Sequence, residues 1–94
     1  MHVVYILHSE KINRYYMGYS SNLDLRMQFH ENAEVRKYTY KADDWTLFFL
    51  INCQSKSQAL AIENHIKAMK SKAYIENLKK YPEITEKLLD RYYN

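Results

Sequence analysis

The sequence predicts an α+β fold: a small three-stranded antiparallel sheet flanked by helices, in the order β-β-α-β-α-α-α. Three observations carry this reading. Two β-branched and aromatic segments lie close together near the N-terminus, joined by a short polar stretch. A nearly continuous apolar run, WTLFFLINC, spans Trp45 to Cys53. From Ser55 onward, apolar residues recur at helical spacing, punctuated by capping residues and a proline.

Each element has its own signal. His2 to His8 (HVVYILH) reads as a strand, Ser9 to Arg14 as a hairpin connection and Tyr15 to Tyr19 as a second strand. Gly18 sits near the end of that strand, where a missing side chain marks a bulge or a close backbone approach. Ser20, Ser21 and Asn22 are N-cap residues ahead of LDLRMQFHE, which predicts a short helix over Leu23 to Asn32. Ala33 to Asp44 is polar and irregular. The run Trp45 to Cys53 is read as a buried central strand. Ser55 followed by Gln58 resembles a capping box that opens a helix to about Lys70, with Ala59, Ile62, Ile66 and Met69 on one stripe. Ser71 caps a further helix to Lys80. Pro82 starts a last one, so that residues 82–94 form a C-terminal helix of a single domain spanning 1–94.

Composition narrows the function. The chain holds ten tyrosines but one glycine, so it has no glycine-rich loop to cradle phosphates, which excludes P-loop and Rossmann nucleotide sites. One cysteine cannot form an internal disulfide or a cysteine-rich zinc site. His2, His8, His30 and His65 lack ligand-like spacing. No apolar run has membrane-spanning length and no export signal opens the chain, so a cytoplasmic location and no membrane partner are expected. The net charge is +3, and Lys67, Lys70, Lys72, Lys79 and Lys80 crowd one stretch. That clustering suits a polyanion, although solvated helix faces are commonly lysine-rich.

The helix over Leu23 to Asn32 is the most informative element. Asp24, Gln28 and Glu31 fall on one side, with Leu25 and Phe29 opposite and Leu23 and Met27 a little further round. Arg26 and His30 project between the two apolar pairs, one turn apart. A cation on an inward-leaning face needs an anionic partner or an opening to a cleft. Glu63 lies at the border of the apolar stripe of the long helix, beside Ala59 and Ile66. It can point into a groove, or pair on the surface with Lys67 four residues on. Tyr5 and Tyr16 can meet on one face of the hairpin, but the register is not set by the sequence.

These residues resemble a known family. Val3-Val4-Tyr5 and Tyr16-Met17-Gly18 look like the GIY…YIG pair that names a nuclease superfamily. Arg26 and His30 are similar to its L-x-x-R-x-x-x-H helix, and Ala59 to Lys67 to its A-x-x-x-E-x-x-x-K segment. The resemblance runs from Val3 to about Lys80, with Val3 in place of the first glycine and Met17 in place of an isoleucine. It implies a GIY-YIG-like fold and an endonuclease that hydrolyses nucleic-acid phosphodiesters, DNA above all, in repair or in processing of structured DNA. It implies Tyr5, Tyr16, Arg26, His30 and Glu63 as catalytic residues, with Glu63 the one protein ligand of a single Mg²⁺ or Mn²⁺ ion. Lys37, Tyr40, Lys41, Lys67 and Lys70 are candidate nucleic-acid contacts, and Asn77 is the nearest match to a late family asparagine. Two rivals stand beside this: a module of the same fold that binds nucleic acid with little cleavage, and a protein-interaction domain using its tyrosines. A chain this short also leads one to expect branched or flapped substrates, or a protein partner.

Overall fold

The computed structural model describes residues 2–21 and 40–93. The expected helix over Leu23 to Asn32, with Arg26 and His30, and the candidate contact Lys37 lie outside the described residues.

The sheet has three strands: β1 (His2–Ser9), β2 (Arg14–Ser20) and β3 (Thr46–Cys53). They are ordered β2-β1-β3, and β1 pairs antiparallel with both neighbours. Three helices follow: α1 (Lys56–Met69), α2 (Lys72–Lys80) and α3 (Pro82–Arg91). The described order is thus the predicted α+β arrangement.

One expectation is corrected. The apolar run from Trp45 is not the central strand; β3 lies at the edge of this sheet, with Leu47 51% exposed. The centre belongs to β1, whose Val3 to Leu7 are all buried. The physical reason is pairing: both other strands bond to β1, which leaves β3 a single partner, and a register shift further interrupts its face. Ile6 pairs with Phe49 but Leu7 with Leu47, so Phe48 is an extra residue on β3 and breaks the strand's alternation there.

Val4, Ile6, Met17, Ile51 and Cys53 form the sheet's side of the core. Ala59, Ile62 and Ile66 of α1, Ile75 and Leu78 of α2 and Leu88 of α3 pack against them. Burial of each such aliphatic side chain contributes about 1.5–3 kcal/mol. Val3, Tyr5 and Leu7 alternate with Val4 and Ile6, so they stand on the opposite face and are equally withdrawn from solvent.

Caps fix the helix starts. Ser55 Oγ accepts from the Gln58 N–H at 3.1 Å, as a capping serine should. Gln58 does not return the bond to Ser55. Its Oε1 accepts from the Gln54 N–H at 2.7 Å and its Nε2 donates to the Leu89 carbonyl at 2.9 Å, which ties α3 to the start of α1. Ser71 Oγ likewise accepts from the Tyr74 N–H and opens α2. Between them α1 ends at Lys70, whose φ of 48° is left-handed. The β1–β2 turn is anchored by Asp44, whose carboxylate accepts from Ser9 Oγ and from the Lys11 N–H. The Ser9 bond holds Asp44 below the usual carboxylate range.

Because Gln58 is buried and satisfies two separate backbone groups, Gln58→Ala is expected to lower stability by about 1–3 kcal/mol, read as a lower urea midpoint at unchanged slope. An unchanged midpoint would show that the α1–α3 tie contributes nothing.

Candidate active site

The register of the hairpin decides what meets Tyr5. Tyr5 pairs with Gly18 and Leu7 with Tyr16, so Tyr5, Gly18 and Tyr16 share one face. The Tyr5 and Tyr16 ring centroids lie 6.4 Å apart, tilted by 37°. The tyrosines therefore do meet on one face of the hairpin.

Gly18 is explained by close approach and not by a bulge, since the β1–β2 register runs unbroken through it. A Cβ built at Gly18 would stand 2.5 Å from Tyr5 Oη and 2.7 Å from its Cζ. The Tyr5 ring occupies the space where any side chain would be. Its backbone needs no positive φ, so the requirement is wholly one of room. The ring is thereby laid over β2, the strand at this edge of the sheet, and its hydroxyl is carried with it.

Glu63 enters from α1, which packs across β1 and β2. Its side chain is only 12% exposed. Burial raises the Tyr5 phenol well above its ordinary pKa, and the charges of Tyr16 and then Glu63 push the same way. The Glu63 charge is thus felt at the Tyr5 phenol. Glu63 Oε1 also accepts from Lys67 Nζ at 2.7 Å. Glu63 thus makes the surface pair one turn along its helix, while its side chain is largely withdrawn from solvent; it is not among the residues lining the groove between β2 and the α1–α2 junction.

Among the described residues no three His, Cys, Asp or Glu side chains cluster as a metal cage. What is present is a lone, largely buried carboxylate whose Oε1 is bonded to lysine and whose Oε2 has no hydrogen-bond partner among the described residues. That donor set fits a hard cation which keeps most of its waters, and does not fit a transition metal held by nitrogen and sulfur.

The remaining candidates are distributed less tightly. Lys67 and Lys70 line a groove of about 170 Å³ between β2 and the α1–α2 junction. Tyr40 is 77% exposed, and Lys41 is exposed beside it. Asn77 lies on α2, where its carbonyl accepts from the Tyr81 N–H, and its side chain makes no hydrogen bond to Tyr5, Tyr16 or Glu63. Arg14, which lines the same groove as Lys67, escaped sequence reasoning, and Lys72, also at the groove, was visible there only as one of the clustered lysines. They stand on different elements, and only the tertiary fold brings them together.

The hairpin thus seats the buried Tyr5 ring over Gly18 with the half-buried Tyr16 beside it, and α1 carries one carboxylate, Glu63, largely withdrawn from water. The GIY-YIG catalytic domain family model matches residues 1–80, and the chain belongs to that family of nucleases. It is also similar to UPF0213 protein OB0043 of Oceanobacillus iheyensis, 34% identical over 68 residues that cover 72% of this chain and 78% of that protein. No solved structure matches significantly. No described helix is long and apolar enough to cross a membrane.

Two outcomes follow from this geometry. Gly18→Ala is expected to cost about 1–3 kcal/mol through overpacking against Tyr5. In the Gly18→Ala/Tyr5→Ala double variant the two losses should be clearly less than additive, and strict additivity would contradict the contact. The second concerns pH. A phenol whose folded pKa lies above its unfolded value of 10.0 contributes fully below that pH, and its contribution is lost as pH rises beyond it. The fall in stability above about pH 10 should therefore be shallower in Tyr5→Phe than in the parent chain. Equal slopes by urea titration would assign the alkaline loss to other groups.

Proposed function

We propose that the chain is a divalent-metal-dependent endonuclease that hydrolyses phosphodiester bonds in DNA, with branched or damaged DNA of repair and processing as its substrate and the cytoplasm as its place of work. The observation that supports this reading is the Tyr5 ring seated over Gly18 beside Tyr16, with the Glu63 side chain of α1 only 12% exposed. A surface glutamate paired with Lys67 would have no reason to be so withdrawn from water.

Hydrolysis forms a bond from a water oxygen to phosphorus and breaks the bond to the leaving 3′ oxygen. The water gives up a proton and the leaving oxygen gains one. Glu63 would hold one Mg²⁺ or Mn²⁺ ion, with Oε2 the oxygen that has no hydrogen-bond partner among the described residues and Lys67 sharing Oε1. Bound there, such an ion supplies Lewis-acid stabilisation of phosphoryl and leaving-oxygen charge. Tyr5 keeps its proton in the described surroundings, because burial above all, and then the neighbouring Tyr16 and Glu63, disfavour the phenolate. Its role is accordingly to orient the attacking water by hydrogen bonding, with Tyr16 beside it. It becomes a base only if cations outweigh those neighbours. Arg26 would neutralise the scissile phosphate, and His30, four residues later in the sequence, would accept or relay the proton. These last two roles rest on helical spacing and family motif.

The test is cleavage of labelled flap, branched and single-stranded DNA with Mg²⁺, Mn²⁺ or EDTA. The parent chain should cut only with metal. Glu63→Gln, which keeps the side chain's shape, and Arg26→Ala should each lose about 10²-fold or more in rate. A Glu63→Gln variant that cuts normally would remove Glu63 from the chemistry. A parent chain that binds these substrates and never cuts them would favour the non-cleaving module.

A further inference from the structure

We propose that the groove between β2 and the α1–α2 junction is a subsite for a phosphate flanking the scissile one in the bound strand, gripped by Arg14, Lys70 and Lys72; this rests on the nuclease reading above. The groove, about 170 Å³, has an apolar floor of Met17, Ile66 and Ile75. Its rim carries Arg14, Lys67, Lys70 and Lys72, and among the described residues no acidic one lines it, the Glu76 carboxylate being engaged by the hydroxyl of the lining Tyr15 at 3.2 Å. The chain as a whole has 14 basic and 11 acidic residues, so a groove lined by one sign only is a concentration of charge.

These cations are not one solvated helix face. Arg14 begins β2, Lys70 is the left-handed cap that ends α1, and Lys72 begins α2. Three elements converge, and among the described residues none of Arg14, Lys70 and Lys72 has a carboxylate partner. Like charges held together without a counter-charge are mutually repulsive. An anion entering the groove relieves that repulsion and gains focused attraction. The positive end of the α2 dipole adds to the same field.

The position selects which anion. Lys67 lines the groove and also bonds Glu63, so the groove opens one side chain away from the candidate metal ligand. Lys70 lies seven residues past Glu63, roughly 10 Å along the helix axis. That is too far to share the scissile phosphate and suits a neighbour in the same strand. The apolar floor, with the Tyr15 ring beside it, accepts the sugar or base attached to that phosphate. An acidic peptide would satisfy the charge but has no use for an apolar floor flanked by a tyrosine one side chain from Glu63.

The experiment is fluorescence anisotropy of a labelled single-stranded oligodeoxynucleotide in EDTA, where nothing is cleaved, across a range of salt concentrations. Arg14→Gln/Lys70→Gln/Lys72→Gln is compared with Lys56→Gln/Lys87→Gln/Arg91→Gln, which removes equal charge elsewhere. The groove variant should bind about tenfold or more weakly, and its slope of log affinity against log salt should shrink by about two. The control should change little. Circular dichroism checks folding, and if the triple variant is unfolded, Arg14→Gln and Lys72→Gln are read singly with the same expectation. Equal weakening by both triples, an unchanged salt slope, absence of binding by the parent chain, or equal displacement by poly-glutamate and by unlabelled oligonucleotide would each overturn the subsite. Binding through the groove without metal-dependent cleavage would instead sink the nuclease reading and leave the groove standing. Cleavage with groove-independent affinity would do the reverse.

Discussion

The Tyr5 ring lies where Gly18 has no side chain, and the candidate site depends on that one steric fact. With a Cβ at position 18 the phenol would have to leave the face of β2. It would then lose both its neighbour Tyr16 and its electrostatic contact with Glu63. A chain with ten tyrosines and a single glycine has put that glycine where one tyrosine needs the room. The hairpin register that pairs Tyr5 with Gly18 is in turn held by the buried alternation of β1, since a slip by one residue would turn Val4 and Ile6 away from the helices.

Burial around Tyr5 has two consequences that pull against each other. It fixes the ring, which favours a well-placed hydroxyl. It also keeps the proton on, which disfavours a tyrosine acting as base. The proposed orienting role would reconcile the two, and would leave charge neutralisation to cations: the ion proposed at Glu63, the proposed contact of Arg26 and the basic groove. The short path from Glu63 through Lys67 to that groove makes α1 the spine along which a bound strand would be aligned.

Much of this was legible in the residues. Strand and helix periodicity, Ser55 and Ser71 as caps and Pro82 as a helix start all emerge in the structure where local chemistry put them. The motif order around Tyr5, Gly18 and Glu63 pointed to the family before any geometry was known. What was not legible is non-local. Trp45 to Cys53 is more apolar than β1, yet the central position is decided by which strand both others pair with, and an extra residue at Phe48 is invisible to periodicity. Hairpin register, which joins Tyr5 to Gly18 and Tyr16, is a pairing property that neither strand encodes alone. Arg14, far from the lysines in sequence, joins them only through β2 packing beside α1 and α2. The withdrawal of Glu63 from solvent was open as well, because a position at the edge of an apolar stripe serves a surface pair and a cleft equally.

The central claim is that Glu63 and the tyrosine pair surround one divalent cation. Titration of isotopically labelled protein with Mn²⁺, followed by NMR, tests it most directly, since the ion broadens signals of nearby nuclei whether or not cleavage occurs. Broadening should centre on Glu63, Tyr5 and Tyr16 and vanish in Glu63→Gln. Broadening centred elsewhere, or unchanged by that substitution, would contradict the account.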